Sequence, residues 1–228
     1  LGDIQQTKEY KYLGEWYNEE GNHALSLKKR KEKINYFIRN IKTYGNQYQL
    51  GKYAIATRLK IYKAVIVPTI YHNIETWSYI SKCEMEKLEK IQSRIVKKIT
   101  EQRITTPYFG LLSELGIWPI EKLIDYRKIM LLHNILNSDD YRTIKNIITE
   151  QIERPRKGCW IEQTKVICTK YNIDIAKITQ YTKGELKNIT KKGIKESLNR
   201  HMINMIKNKT KMRFLDNFGK KSYIEELP

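Results

Sequence analysis

From Leu25 onward, apolar residues recur at three- and four-residue intervals, and the recurrence breaks mainly at Gly, Pro and Ser/Thr-x-x-Glu signals. That spacing is the period of an α-helix, and such stripes are stable only when packed on one another. The chain is therefore expected to be mainly α, a helical bundle preceded by a short β-hairpin arm and followed by a helical region. Its 228 residues suffice for one domain or two small ones with a real core. The exception to the helical period is residues 9–18, which are aromatic and partly alternating (Glu9-Tyr-Lys-Tyr-Leu-Gly-Glu-Trp-Tyr17). They read as a strand or hairpin arm.

The helices can be placed from their stripes and end signals. Leu27, Ile34, Phe37, Ile38 and Ile41 share one face of a helix from Leu25 to Tyr44, closed by Gly45, with a loop to Gly51. A second helix covers 52–67 with the stripe Ile55, Leu59, Tyr62 and Ile66 and a second apolar side, Ala54, Ile61 and Val65. Pro68 should kink or stop it. Ser81 with Glu84 forms a capping box for a third helix with Met85, Leu88, Ile91, Ile95 and Ile99 inward. Thr106-Pro107 opens a short helix ending at Gly116. Trp118-Pro119 opens another with Ile120, Leu123, Ile124, Met130, Leu131 and Ile135 inward. Ser138 or Asp139 is expected to cap a helix from about Tyr141 that ends before Pro155. Residues 154–159 read as a linker, followed by helices at about 160–171 and 175–181. A second capping box, Thr182 with Glu185, opens a long basic helix to about Lys209 with Leu186, Ile189, Leu198 and Ile206 inward. Gly193 should weaken that helix by about 1 kcal/mol. The expected divisions are 1–24, 25–153 and 154–228.

Charge narrows the function classes. Lys plus Arg number 43 against 25 for Asp plus Glu, a formal net charge of +18. The surplus is blocked: residues 25–63 carry eleven bases and one acid, Glu32, and residues 183–213 carry ten bases and two acids. Clustered cations suit an anionic partner, since each one that meets a phosphate releases a counterion; lysine-rich composition alone is the alternative. Lys28, Lys29, Arg30, Lys31 and Lys33 crowd within two helical turns, a repulsion that a polyanion would relieve. Arg39, Lys42, Arg58, Lys60 and Lys63 extend this set, and Lys191, Lys192, Lys195 and Arg200 form a second one. Backbone tracking without base readout is the expected mode. The longest uncharged run, Ala64 to Ile74, is 11 residues, too short to span a bilayer, so no membrane partner is expected.

Catalytic signatures are sparse. His23, His72, His133 and His201 have no Cys or carboxylate at zinc-ligand spacing, and no phosphate loop or nucleophile elbow is present. No metal or cofactor is expected in this chain. Asp139-Asp140 could suggest a two-metal carboxylate pair, but its position between helices favours capping. Tyr10, Tyr12, Trp16 and Tyr17 suit either cross-strand packing or stacking on bases. Three scattered cysteines fit a reducing, intracellular compartment rather than a disulfide framework. The chain begins with Leu1 and reads as a piece of a longer protein.

Four blocks carry a resemblance: Tyr10-Lys-Tyr-Leu-Gly14, Leu59-Lys-Ile-Tyr-Lys-Ala-Val-Ile-Val-Pro-Thr-Ile-Tyr71, Glu75-Thr-Trp77, and Leu115-Gly-Ile-Trp-Pro-Ile120. In order and spacing they resemble the C-terminal part of non-LTR (LINE-type) retrotransposon reverse transcriptases. The tail, closing in Arg213-Phe-Leu and Lys221-Ser-Tyr-Ile224, resembles the linker of elements that bear a restriction-like endonuclease. The resemblance implies that Tyr12, Leu13 and Gly14 belong to the primer grip and that residues 25–100 form a helical thumb following an RNA template and its cDNA primer. It also implies a palm domain upstream and an endonuclease downstream. The catalytic aspartates and their Mg2+ would lie in the parent polymerase, which would act in the nucleus. His72 stands where the family usually has Gly. Two other readings remain open: a domesticated helical scaffold for protein partners, and a stand-alone DNA-binding module using the helix after Thr182.

Overall fold

The computed structural model describes residues 7–20, 23–46, 54–140 and 142–208. The described chain is mainly helical with one two-stranded hairpin at its N-terminal side, and it divides into two compact units. The first unit comprises residues 1–73 and 81–106, the second 74–80 and 107–228.

The first unit opens with β1 (Glu9–Tyr12) and β2 (Glu15–Asn18), antiparallel, with Tyr10 opposite Tyr17 and Lys11 opposite Trp16. The two-residue loop Leu13-Gly14 has φ of +46° and +86°, the doubly left-handed turn that matches strand twist. Helix α1 (Ala24–Asn46) runs through Gly45 and ends one residue later. Helix α2 (Ala54–Ile61) passes into a π turn (Tyr62–Ile66) and then α3 (Val67–Ile70). Pro68 therefore neither stops the helix nor breaks it. The wider turn, with Val67 N–H bonded to the Tyr62 carbonyl, makes room for the ring and for the missing N–H. Helix α4 (Lys82–Ile99) starts at the expected capping box: Ser81 Oγ accepts from Glu84 N–H, and Glu84 accepts from Ser81 N–H.

The core of this unit is Ile34, Tyr62, Ile66, Ile70, Leu88, Ile95 and Ile99, all essentially solvent-free. Burial of each aliphatic side chain contributes roughly 1.5–3 kcal/mol. Gln92 on α4 donates to the buried Tyr62 hydroxyl at 3.0 Å. Ile55 and Val65, expected inward, are 41% and 38% exposed.

The second unit begins with a 3₁₀ turn (Ile74–Thr76) and contains α5 (Tyr108–Glu114), α6 (Ile120–Leu136), α7 (Thr143–Glu153), α8 (Trp160–Lys170), a 3₁₀ turn (Ile175–Gln180) and α9 (Lys183–Asn208). Its core gathers Ile129, Leu132, Ile161, Cys168, Ile178, Leu186 and Ile194. Gly116, with φ of +60°, ends the turn after α5 as expected. Helix α7 is preceded by Arg142 with no side-chain cap, so neither Ser138 nor Asp139 caps it. Asp140 instead pairs with Lys145 at 2.5 Å, which lowers its carboxyl pKa. The predicted start, Tyr141, lies outside the described residues. Residues 154–159, expected as a linker, form the loop between α7 and α8 of one unit.

The Thr182–Glu185 box caps α9. Along α9 the inward residues are Leu186, Thr190, Ile194 and Leu198; Ile189 turns outward at 37% exposure, and the Ile206 side chain lies outside the described set. The tail from Lys209, including Arg213 and Lys221–Ile224, also lies outside the described residues. Gly193 has a packing reason: a Cβ there would come within 3.2 Å of Tyr171 Cβ.

Candidate nucleic-acid interface

The cations of α1 divide by helical phase. Lys28, Lys31, Lys33 and Arg39 are exposed, and Lys29 is half-buried. Lys42 falls within α1, but its side chain is outside the described set. Arg30 is corrected from surface ligand to structural element, for it is only 6% exposed. Its phase, three residues after Leu27 and four before Ile34, points it inward. There it pairs with the buried Glu15, donates to the carbonyls of Ile70 and His72 at 2.5 Å each, and donates to Ser26 Oγ at 3.2 Å. Ser26 Oγ donates in turn to Glu15. Arg30 therefore caps the C-terminal end of α3 while locking β2 to α1.

Arg58 is corrected in the same way, being 3% exposed. It donates to the Ile99 carbonyl at 3.3 Å and to Glu101 at 2.9 Å, so it caps α4. Lys60 and Lys63 are exposed. In the second unit, Lys192 and Arg200 on α9 are exposed, while Lys191 and Lys195 are partly so. Burial, then the nearby Lys187 charge, lowers the Lys191 pKa, as crowded like charges should.

The hairpin tip is held from one side. The Leu13 carbonyl accepts from His72 Nε2 at 2.8 Å, which requires the proton on that nitrogen, and from Asn73 Nδ2 at 3.4 Å. A Cβ on Gly14 would stand 2.5 Å from His72 Nε2, so only glycine fits this close approach. Leu13, bulky and left-handed, is 72% exposed, and Tyr12 beside it is 61% exposed. Thus the residues expected at the primer grip form an exposed, conformationally costly tip, and His72 is their anchor.

Beneath the tip lies a cleft of about 340 Å³ bordered by Gly14, Trp16, Lys29, Lys33 and His72. Lys29 Nζ sits 4.9 Å from the Trp16 ring centre, a cation–π contact that fixes the ammonium at the cleft's rim. Lys29 and Lys33 are four residues apart and so project from the same flank of α1. The cleft can take an anion: two ammonium groups and an imidazole border it, and the carboxylate nearest in sequence, Glu15, is neutralised by Arg30. Sequence reading had not assigned Trp16 or His72 to a cation-lined cleft, nor Glu15 to any role. Glu15 alternates with Trp16 in a short strand, which was the only available signal.

A second polar cluster lies inside the other unit. Lys128 is wholly buried, donating to the Trp77 carbonyl at 2.8 Å and to Gln163 at 2.5 Å, with the Trp160 ring 5.9 Å away. Burial lowers its pKa to about 8, partly countered by Asp125. Asp125 accepts from Tyr171 Oη at 2.6 Å and from Lys170 at 2.9 Å. Burial, reinforced by Asp125, raises the Tyr171 pKa and pushes the Cys168 thiol up to about 12, so this thiol is no nucleophile near neutrality. Lys122 reaches Ser197 Oγ at 3.2 Å, and its pKa is lowered by burial and by the Lys170 charge. The cluster is an internal network whose polar groups satisfy one another.

Among the described residues, no three His, Cys, Asp or Glu side chains gather closely enough to hold a metal ion, and no helix is long and apolar enough to cross a membrane. In comparison with known proteins, no family model, no curated protein and no solved structure matches this chain.

Proposed function

We propose that the chain grips nucleic acid along its sugar–phosphate backbone without performing chemistry on it. More finely, it acts as the primer grip and thumb of a non-LTR retrotransposon reverse transcriptase holding an RNA template and its cDNA primer. The observation that supports this reading is the first unit's division of labour. Its buried arginines are consumed by the fold, whereas the described lysines of α1 stay accessible, two of them at a cleft beside a strained, exposed hairpin tip. An RNA–DNA hybrid approaches A-form and offers a shallow groove against which a basic helix can lie. Mg2+ would serve the parent polymerase's aspartates and has no role here.

The test is binding of the full chain to a labelled RNA–DNA hybrid across ionic strength. Six to ten phosphate contacts predict a slope of log K against log salt of about −5 to −9. The triple variant Lys28→Glu, Lys29→Glu, Lys33→Glu should lose binding and flatten that slope. Unchanged binding of the variant at moderate salt overturns the reading.

The scaffold reading draws on a separate feature, the outward Ile144 and Ile147 of α7 and Val166 of α8, which are 47%, 44% and 66% exposed. Elution from heparin at low salt, with no slope, would favour it.

A further inference from the structure

The cleft beneath the hairpin tip is a recess rather than an open basic surface. Three elements wall it: the hairpin at Gly14 and Trp16, α1 at Lys29 and Lys33, and the end of α3 with His72 just beyond. Its floor is polar but already committed. Ser26 and Arg30, 2% and 6% exposed, spend their donors on Glu15 and on the carbonyls of Ile70 and His72. The Thr69 hydroxyl donates to the Val65 carbonyl.

The rim is not committed. No carboxylate among the described residues lines the recess, and neither Lys29 nor Lys33 enters an ion pair there. The charge left for a ligand is therefore two ammonium groups on one flank of α1, with Lys29 held in place by the Trp16 ring. Strand register sets the exposed Lys11 opposite Trp16, on the face turned away from Tyr10, Tyr12 and Tyr17. The approach from the hairpin side is thus positive as well.

Two fixed cations suit a ligand with two negative charges at one point. A phosphate monoester brings about −1.5 to −2 on three terminal oxygens near neutrality. A backbone phosphodiester or a carboxylate brings a single charge. Walls on three sides also suit a group at which a strand ends better than one through which a strand passes.

We propose that this recess binds the terminal phosphate monoester of a nucleic-acid strand, its oxygens shared between Lys29 and Lys33. The inference rests on the nucleic-acid reading above and deepens it. The α1 lysines outside the recess follow backbone diesters, and the recess recognises the end of a strand.

Fluorescence anisotropy on the full chain tests this with internally labelled RNA–DNA hybrids of one sequence. The DNA strand ends in a phosphate at its 5′ or its 3′ end, in hydroxyls, or in a methyl phosphodiester. A phosphate at one of the ends should tighten binding at least about tenfold over hydroxyl, the scale of one charge-assisted hydrogen bond. The methyl ester, which removes one charge, should lose most of that gain. In the double variant Lys29→Gln, Lys33→Gln, phosphate and hydroxyl ends should bind alike. Lys28→Gln, Lys31→Gln, outside the recess, should weaken both and keep their ratio. Circular dichroism on each variant checks that the helices persist. Equal affinity for phosphate and hydroxyl ends in the wild type overturns the recess and leaves the backbone grip standing. A phosphate preference that survives Lys29→Gln, Lys33→Gln does the same. A methyl ester that binds as tightly as the monoester overturns the ligand class. Competition by a nucleoside 5′-monophosphate as strong as by the phosphorylated hybrid overturns the strand end as its source. If the wild-type chain binds no hybrid, recess and grip fall together.

Discussion

The two units bury cations differently. In the first, Arg30 and Arg58 each cap a helix C-terminus, spreading the guanidinium over several acceptors, and each pairs with a carboxylate. In the second, the buried cations are the lysines Lys122 and Lys128, held by one or two acceptors and by nearby rings. Arg stays charged at any accessible pH, and its planar fork matches several oxygens. An ammonium is a strongly hydrated point charge, and burial readily shifts its titration. The first unit should therefore respond to loss of a partner, and the second to pH.

The largest expected effect comes from breaking the first arrangement. Glu15→Ala leaves Arg30 buried beside carbonyls but without its counter-charge. The cost should be about 3–5 kcal/mol, read by urea unfolding. Loss of less than 1 kcal/mol would show that the Ile70 and His72 carbonyls alone suffice, and the contrast with the lysine unit would weaken.

Next is the pH dependence of the second arrangement. Lys128 titrates near 8 when folded and near 10.5 when unfolded, so between these values the unfolded chain holds the extra proton. Stability from this group therefore rises as pH climbs from about 8 to 10.5. Cys168, raised to about 12 by burial, acts oppositely above about 9. The informative quantity is the difference between the wild type and Lys128→Met, which should change by about 1–3 kcal/mol across that window. A flat difference would mean the ammonium is solvated in the folded state.

Smaller effects test the ends of elements. Ser81→Ala and Thr182→Ala remove one capping box from each unit and should each cost about 1 kcal/mol by thermal unfolding. A much larger cost at Ser81 would indicate that α4 is the more marginal helix. Least of all, Gly193→Ala should fail to give the roughly 1 kcal/mol that helix propensity promises, because Tyr171 occupies the space. A full gain in melting temperature would show that this ring moves aside freely.

Much of this architecture was legible because its causes are local. The Ser81–Glu84 and Thr182–Glu185 boxes, the Pro-opened starts of α5 and α6 and the apolar stripe of α4 depend on residues within one or two turns. The strand or hairpin arm over 9–18, too, was readable from its partly alternating aromatics, whereas its Leu13-Gly14 turn was not read. The site was less legible. Arg30 differs from its lysine neighbours by phase alone, and its partners other than Ser26 lie 15 to 42 positions away in the chain. Arg58 finds Ile99 and Glu101 over a similar separation. Counting charge along a sequence treats such residues as available, whereas packing decides it. The role of His72 could not be read from the sequence, because it holds a backbone carbonyl of a turn 59 residues earlier.

The π turn at Tyr62–Ile66 carries one residue more than an ordinary helical turn would. Everything after it is therefore rotated by about 100° relative to an uninterrupted helix. Ile70 and Tyr71 reach the interior through that offset. The surplus residue acts as a phase adjuster, so a chain shortened by one at Ala64 should swing both side chains toward solvent, a change that tyrosine accessibility to iodination would register.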